Sequence, residues 1–96
     1  MSAASRKAST GAKKTRVQGV TGSQQIKATG GPVHRIIVAN ADAAAQTVTV
    51  TDGGTTQIVL KLGIGESKSF EFGVIFAGAI AVNPSNANLD ILVIFD

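Results

Sequence analysis

Residues 47–54 read TVTVTDGG, a strict alternation of threonine and valine that runs straight into an Asp-Gly-Gly turn. That spacing fits a strand with one face in a core, because successive strand side chains point to opposite faces. Val48 and Val50 are expected inside and the threonines outside. Asp52-Gly53-Gly54 predicts a tight hairpin, since glycine reaches positive φ without steric cost. The same ingredients recur along the chain. Residues 33–39 (VHRIIVA) end in the turn signal Asn40-Ala41-Asp42. Residues 57–62 place Ile58, Leu60 and Leu62 on one face before a turn at Gly63-Ile64-Gly65-Glu66. Residues 67–72 (SKSFEF) direct Phe70 and Phe72 inward, Gly73 and Gly78 bracket a bend, and residues 79–83 set Ile80 and Val82 together. After a loop at residues 84–88, residues 89–95 (LDILVIF) are apolar on nearly both faces, as in a central or intersubunit strand.

About six short strands, spaced by turn residues and with no run of helical period, are the signature of a small β-sandwich or barrel. The expected fold is all-β: a small antiparallel, jelly-roll-like sandwich of about six to seven strands with an extended basic N-terminal arm. Residues 1–15 are rich in Ser, Ala, Lys and Gly without apolar periodicity, a composition that does not fold alone. Residues 16–28 (RVQGVTGSQQIKA) offer one or two weak edge strands, and Gly30-Gly31-Pro32 breaks the chain. The expected division is therefore an arm at residues 1–30 and a body at residues 31–96.

Charge divides at the same place. Residues 1–30 hold Arg6, Lys7, Lys13, Lys14, Arg16 and Lys27 and no acid. Residues 31–96 hold Asp42, Asp52, Glu66, Glu71, Asp90 and Asp96 against Arg35, Lys61 and Lys68. The two parts carry +6 and −3, which sum to the net +3. A basic arm on a mildly acidic, apolar body points to a protein that reaches onto a negatively charged neighbour. So small a body buries too little surface to be very stable alone, and no cysteine can staple it. With 44% hydrophobic residues, part of its apolar surface is expected to meet copies of itself or a larger partner. A membrane is not expected: the longest apolar run, GVIFAGAIAV at residues 73–82, is about half a span.

Chemistry has few places to reside. The sole histidine, His34, stands at a strand start beside Arg35, the setting of a surface or hydrogen-bonded strand histidine rather than a triad base. Gly63-Ile64-Gly65-Glu66-Ser67 lacks the lysine and following helix of a phosphate loop and reads as a hairpin turn. Asp52 and Glu66 lie in turns, where carboxylates accept backbone hydrogen bonds. No catalytic residue, cofactor or metal is expected. Nucleic acid is a second class of partner, since the arm's cations supply salt-sensitive phosphate affinity. Yet there is no Trp or Tyr for base stacking, and Phe70, Phe72, Phe76 and Phe95 read as core.

The segments IIVAN (residues 36–40), TVTVTDG (47–53), GESKSFEF (65–72) and GVIF (73–76), closing on an apolar final strand, resemble small virion proteins of tailed bacteriophages. These are the all-β proteins that decorate or cement the capsid shell, and the likeness covers roughly residues 33–95. The long basic arm is not general to them. The resemblance implies a structural protein of the virion, bound to the major capsid protein and gaining stability by docking between its subunits, with lattice or homo-oligomeric contacts. An arm of this kind adds strands to exposed sheet edges and touches acidic surface. On that basis Arg6, Lys7, Lys13, Lys14, Arg16 and Lys27 are the electrostatic contacts, and Val17, Val20 and Ile26 the strand contacts. Removing residues 1–30 is expected to leave the body folded. The alternative is a small β-domain that grips nucleic acid non-specifically through the same arm.

Overall fold

A computed structural model describes residues 13–96 of the chain. Among the described residues there are eight strands and no helix. They are β1 (Lys13–Gln18), β2 (Gln24–Lys27), β3 (Gly31–Asn40), β4 (Gln46–Asp52), β5 (Thr55–Leu62), β6 (Ser67–Phe76), β7 (Ile80–Pro84) and β8 (Leu89–Phe95). Two four-stranded antiparallel sheets result, ordered β1-β8-β3-β6 and β2-β7-β4-β5. The pairing is nested: β1 with β8, β2 with β7, β3 with β6 and β4 with β5. The chain is thus one long hairpin, rolled so that successive pairs fall alternately in the two sheets and are joined through β3·β8 and β4·β7. Its tip is the Asp52-to-Thr55 turn, where Gly53 and Gly54 have φ of 59° and 90°. Two consecutive positive φ values match the right-handed twist of the flanking strands.

The core lies between the central strands. β3 contributes Val33, Ile36 and Val38, and β8 contributes Leu89, Ile91, Val93 and Phe95, all buried. Val48 and Val50 of β4 and Ile80 and Val82 of β7 face them, each fully buried. Val33 and Ile36 both point inward although three residues apart, because β3 carries an extra residue against β8 between Val33 and Arg35. A bulge of this kind shifts the side-chain parity by one. β8 is apolar on both faces because it is central, flanked by β1 and β3, with Leu92 and Ile94 half-buried on the outer face.

Several expectations need correction. There are eight strands rather than six to seven, and the additional ones come from residues 13–27. The expected arm boundary at residue 30 does not hold for that stretch. β1 runs in unbroken register along β8, from Lys13 opposite Phe95 to Gln18 opposite Asp90, and β2 pairs with β7. The one or two weak edge strands expected within residues 16–28 are thus members of the two sheets, each setting one apolar residue, Val17 and Ile26, against the core. The remaining residues of the expected arm, 1–12, lie outside the described residues. Gly73 does not bend the chain out of the sheet: at φ 60° it forms a bulge that lets β6 continue to Phe76. The turn at residues 63–66 is not a hairpin either, since it carries the chain from one sheet to the other.

Two polar clamps hold the turns. Asn40 is the one buried polar residue among the described residues. Its Nδ2 donates to the carbonyl oxygens of Ala44 and Gly63, both at 3.0 Å, and its Oδ1 accepts from the Asp42 amide at 2.9 Å. The β3–β4 and β5–β6 connections are thereby tied together. Asp52 accepts from the amides of Gly78 (2.6 Å) and Ala77 (3.1 Å), fixing the hairpin tip against the β6–β7 connection. Asn40→Ala removes the donor that ties the two part-buried connections together and is expected to lower stability by about 1–3 kcal/mol, read from the urea midpoint. In the same assay a chain starting at residue 13 keeps its cooperative transition. A chain starting at residue 31, with the edges of β8 and β7 uncovered, is expected to lose it or aggregate; an unchanged midpoint there would show that β1 and β2 are dispensable.

Candidate partner-binding surface

The strand orders give the sandwich two unlike sides. β1 and β2 border the sheets on one side, β5 and β6 on the other. Each pair of edges is joined by a short connection, residues 19–23 and residues 63–66, so the edges within a pair are neighbours.

On the β1/β2 side, residues 13–27 carry four cations and no acid. Lys13 and Lys14 are exposed on β1. Arg16 grips Asp90 of β8 with both ends of its guanidinium, Nε to Oδ1 at 2.9 Å and Nη2 to Oδ2 at 2.7 Å. This fork-to-fork pair raises the arginine pKa and holds the Asp90 carboxyl below its usual range, through the hydrogen bonds first and the charge as well. Lys27 Nζ donates to the main-chain oxygen of Asp96 at 2.7 Å. His34 Nε2 lies 3.0 Å from Asp96 Oδ2, the partnered strand histidine that its position implied.

The candidate arm residues therefore separate into groups. Arg6 and Lys7 lie outside the described residues. Arg16 and Lys27 are engaged within the sandwich, Val17 is buried opposite Ile91, and Ile26 packs on the core. Lys13, Lys14 and Val20 remain turned to solvent. Val17 and Ile26, two of the three strand contacts assigned to a partner, are thus used by the chain on its own sandwich, while Val20 is not. The Arg16–Asp90 pair had no signal in the sequence, since its members lie in the first and last strands and only register brings them together.

Cross-strand register also organises the outer face of the first sheet. Lys14, Ile94, Arg35 and Glu71 form one row, and Arg16, Leu92, Ile37 and Ser69 the next. A half-buried apolar stripe of Ile37, Leu92 and Ile94 is bracketed by the ion pairs Arg16–Asp90 and Arg35–Glu71. A shallow groove between Arg16, Ile37, Ala39, Asp90 and Leu92 runs along it. The outer face of the second sheet is different in kind: Thr49, for example, sits between Val59 and Asn83.

The β5/β6 side exposes large apolar side chains among its polar ones. Ile58 and Val59 of β5, Val74 and Ile75 of β6 and Ile64 in the turn are all exposed, Ile75 at 78%. Ile58 and Val74 stand opposite the fully buried Val50 and Val33, so they point toward the core yet remain nearly half exposed. The core is closed by Val17 and Ile26 at one side; at the other Leu60, Leu62 and Phe76 are buried, but Ile58 and Val74 stay exposed. A signal for this existed in the sequence: Val74 and Ile75 are consecutive apolar residues after Gly73, and a strand cannot bury both of two neighbours on one face.

The chain matches no protein-family model and no curated protein sequence.

Asp42 and Glu66, like Asp90, are held below their ordinary carboxylate pKa by hydrogen bonds, to Asn88 and Gln46 and to the Gly63 amide respectively. Carboxylates with depressed folded pKa values contribute stability that is present above their unfolded values, about 4, and lost as pH falls through the folded ones. Asp90→Asn is therefore expected to be less stable than the parent at pH 7, with the gap closing as the solution is acidified well below pH 4. Urea midpoints at neutral and acid pH check this, and a gap independent of pH would mean that the ion pair contributes nothing.

Proposed function

We propose that this chain is a structural protein of a tailed-phage virion that binds the capsid shell and reinforces it. One observation carries the proposal: a small sandwich with an edge strand whose only charged residues are cations on one side and exposed apolar residues on the other. A protein of this size with both features is built to sit between neighbours rather than to stand alone. Two further lines support it. We read the nested strand order as a jelly roll, the eight-stranded double-sheet architecture used by capsid domains and also by lectins and cupins. Since one fold serves many functions, the strand-and-turn resemblance to capsid decoration proteins is the second support.

On this reading the contact with the major capsid protein is electrostatic and made from the β1 side, by Lys13 and Lys14 together with Arg6 and Lys7. Arg16 contributes through the Arg16–Asp90 pair, which pins β1 to β8 and so fixes where the two lysines stand. No chemical step is assigned to the chain.

The test is cosedimentation with nuclease-treated phage particles. The full chain is expected to pellet stoichiometrically, and the double variant Lys13→Glu, Lys14→Glu to pellet at least about tenfold less well while keeping its urea midpoint, each contact of this sort contributing on the order of 1 kcal/mol. If the full chain stays in solution but retards DNA with a log–log salt slope near −0.9 per neutralised phosphate, the basic side grips nucleic acid and the capsid role falls.

A further inference from the structure

We infer that the outer edge of β1 binds an extended acidic segment of a partner protein as an added strand. This deepens the proposed function, resting on it for an acidic neighbour and giving the form in which that neighbour is held. Among the described residues four strands border the two sheets, and three of them are interrupted as templates. β2 is only four residues long and shifts register between Gln25 and Lys27. β5 carries the extra residue Gln57 opposite Val50 and Thr51, and β6 a bulge at Phe72-Gly73. Bulges twist an edge away from a continuous neighbour. β1 keeps unbroken register over six residues, Lys13–Gln18, without Gly or Pro.

Hydrogen bonds at the ends of β8 fix which backbone groups of β1 are free. Asp96 N–H donates to the Pro32 carbonyl at 3.0 Å, and the Asn88 carbonyl accepts from Ala41 N–H at 3.1 Å. Residues 88 and 96 thus face β3, and by the alternation of an antiparallel ladder so do Asp90, Leu92 and Ile94. Ile91, Val93 and Phe95 face β1, opposite Val17, Thr15 and Lys13. Lys14, Arg16 and Gln18 therefore turn both N–H and C=O outward, to an edge with no described strand beside it. Donors alternating with acceptors match the backbone of an extended chain. They do not match a phosphate backbone, whose oxygens only accept.

Side chains specify the added strand. Lys14, Arg16 and Gln18 lie on the outer face of the sheet, Thr15 and the buried Val17 on the inner one. Arg16 is taken up by Asp90, whereas Lys13 and Lys14 are exposed and pair with no acid among the described residues. A neighbour beside Lys14 gains from being acidic, and one beside Thr15 and Val17 from being β-branched. Edge lysines turn away uncharged and cationic strands. A second copy of β1 brings cations and no acid, and residues 1–12 hold no acid either. The segment that fits alternates acidic and β-branched residues and comes from a partner.

Nuclear magnetic resonance of the full chain, titrated with a synthetic peptide of alternating glutamate and valine, tests this. Saturable shifts and slowed hydrogen exchange are expected at the Lys14, Arg16 and Gln18 amides. Lys14→Gln keeps the backbone donor and is expected to weaken binding about threefold. Lys14→Pro removes the same charge and the outward N–H, spares the bonds to β8, and is expected to weaken binding about tenfold further. Gln18→Pro, at the other end of the edge and without a change of charge, is expected to cost about tenfold as well. Urea midpoints show that each variant is folded. Equal loss in Lys14→Gln and Lys14→Pro, with none in Gln18→Pro, overturns the added strand and leaves a charge contact. Absence of binding at millimolar peptide overturns it too, as does equal binding of a lysine–valine peptide. Cosedimentation judges the capsid reading separately: a chain that takes the peptide but stays in solution beside particles keeps the strand site and loses the shell.

Discussion

The packing of β3 and β8 against β4 and β7 is the constraint on which the rest of this protein depends. These four strands supply a core of small aliphatic side chains, most of them fully buried. Such a core forms only if every strand keeps the right parity, and bulges in β2, β3, β5 and β6 are where parity is restored. The nested pairing follows: once the Asp52–Thr55 turn brings β4 and β5 together, each outer pair of strands has only the next place to go. The tight clamps made by Asn40 and Asp52 lock the connections at which the chain changes sheet.

A core of this size is finished differently at its two sides. At one, β1 and β2 add a single apolar residue each, Val17 and Ile26, and turn a row of cations outward. At the other, Ile58 and Val74 are inward-facing residues that stay nearly half exposed among the described residues. The asymmetry gives a two-sided particle, positively charged at one edge and apolar and neutral at the opposite one. The positive edge suits an acidic surface. A structural role in an assembly is consistent with both.

Much of the fold was legible because strand periodicity and turn chemistry act locally. The alternation at Val48 and Val50, the Asp-Gly-Gly tip, the Asx turn at Asn40-Ala41-Asp42 and the double-faced apolar run of β8 all carry their meaning within a few residues. Asp52 and Glu66 accept backbone amides, as carboxylates in turns tend to do. What escaped was whatever register decides. β1 and β2 gain their stability from β8 and β7, so their own sequences showed only weak edge strands within an arm and not their places in the two sheets. Arg16 looked available for a partner because Asp90, which holds it, is 74 positions away. Gly73 was legible as an irregularity but not as one that keeps a strand in its sheet and exposes Val74 and Ile75.

The central claim is that the basic edge, and not the apolar one, meets the shell. Amide hydrogen exchange of the full chain, free and bound to phage particles, tests it most directly. The account predicts that binding slows exchange within residues 1–18 and leaves β5 and β6 unchanged. New protection confined to residues 55–76, with none at the N-terminal side, would contradict it.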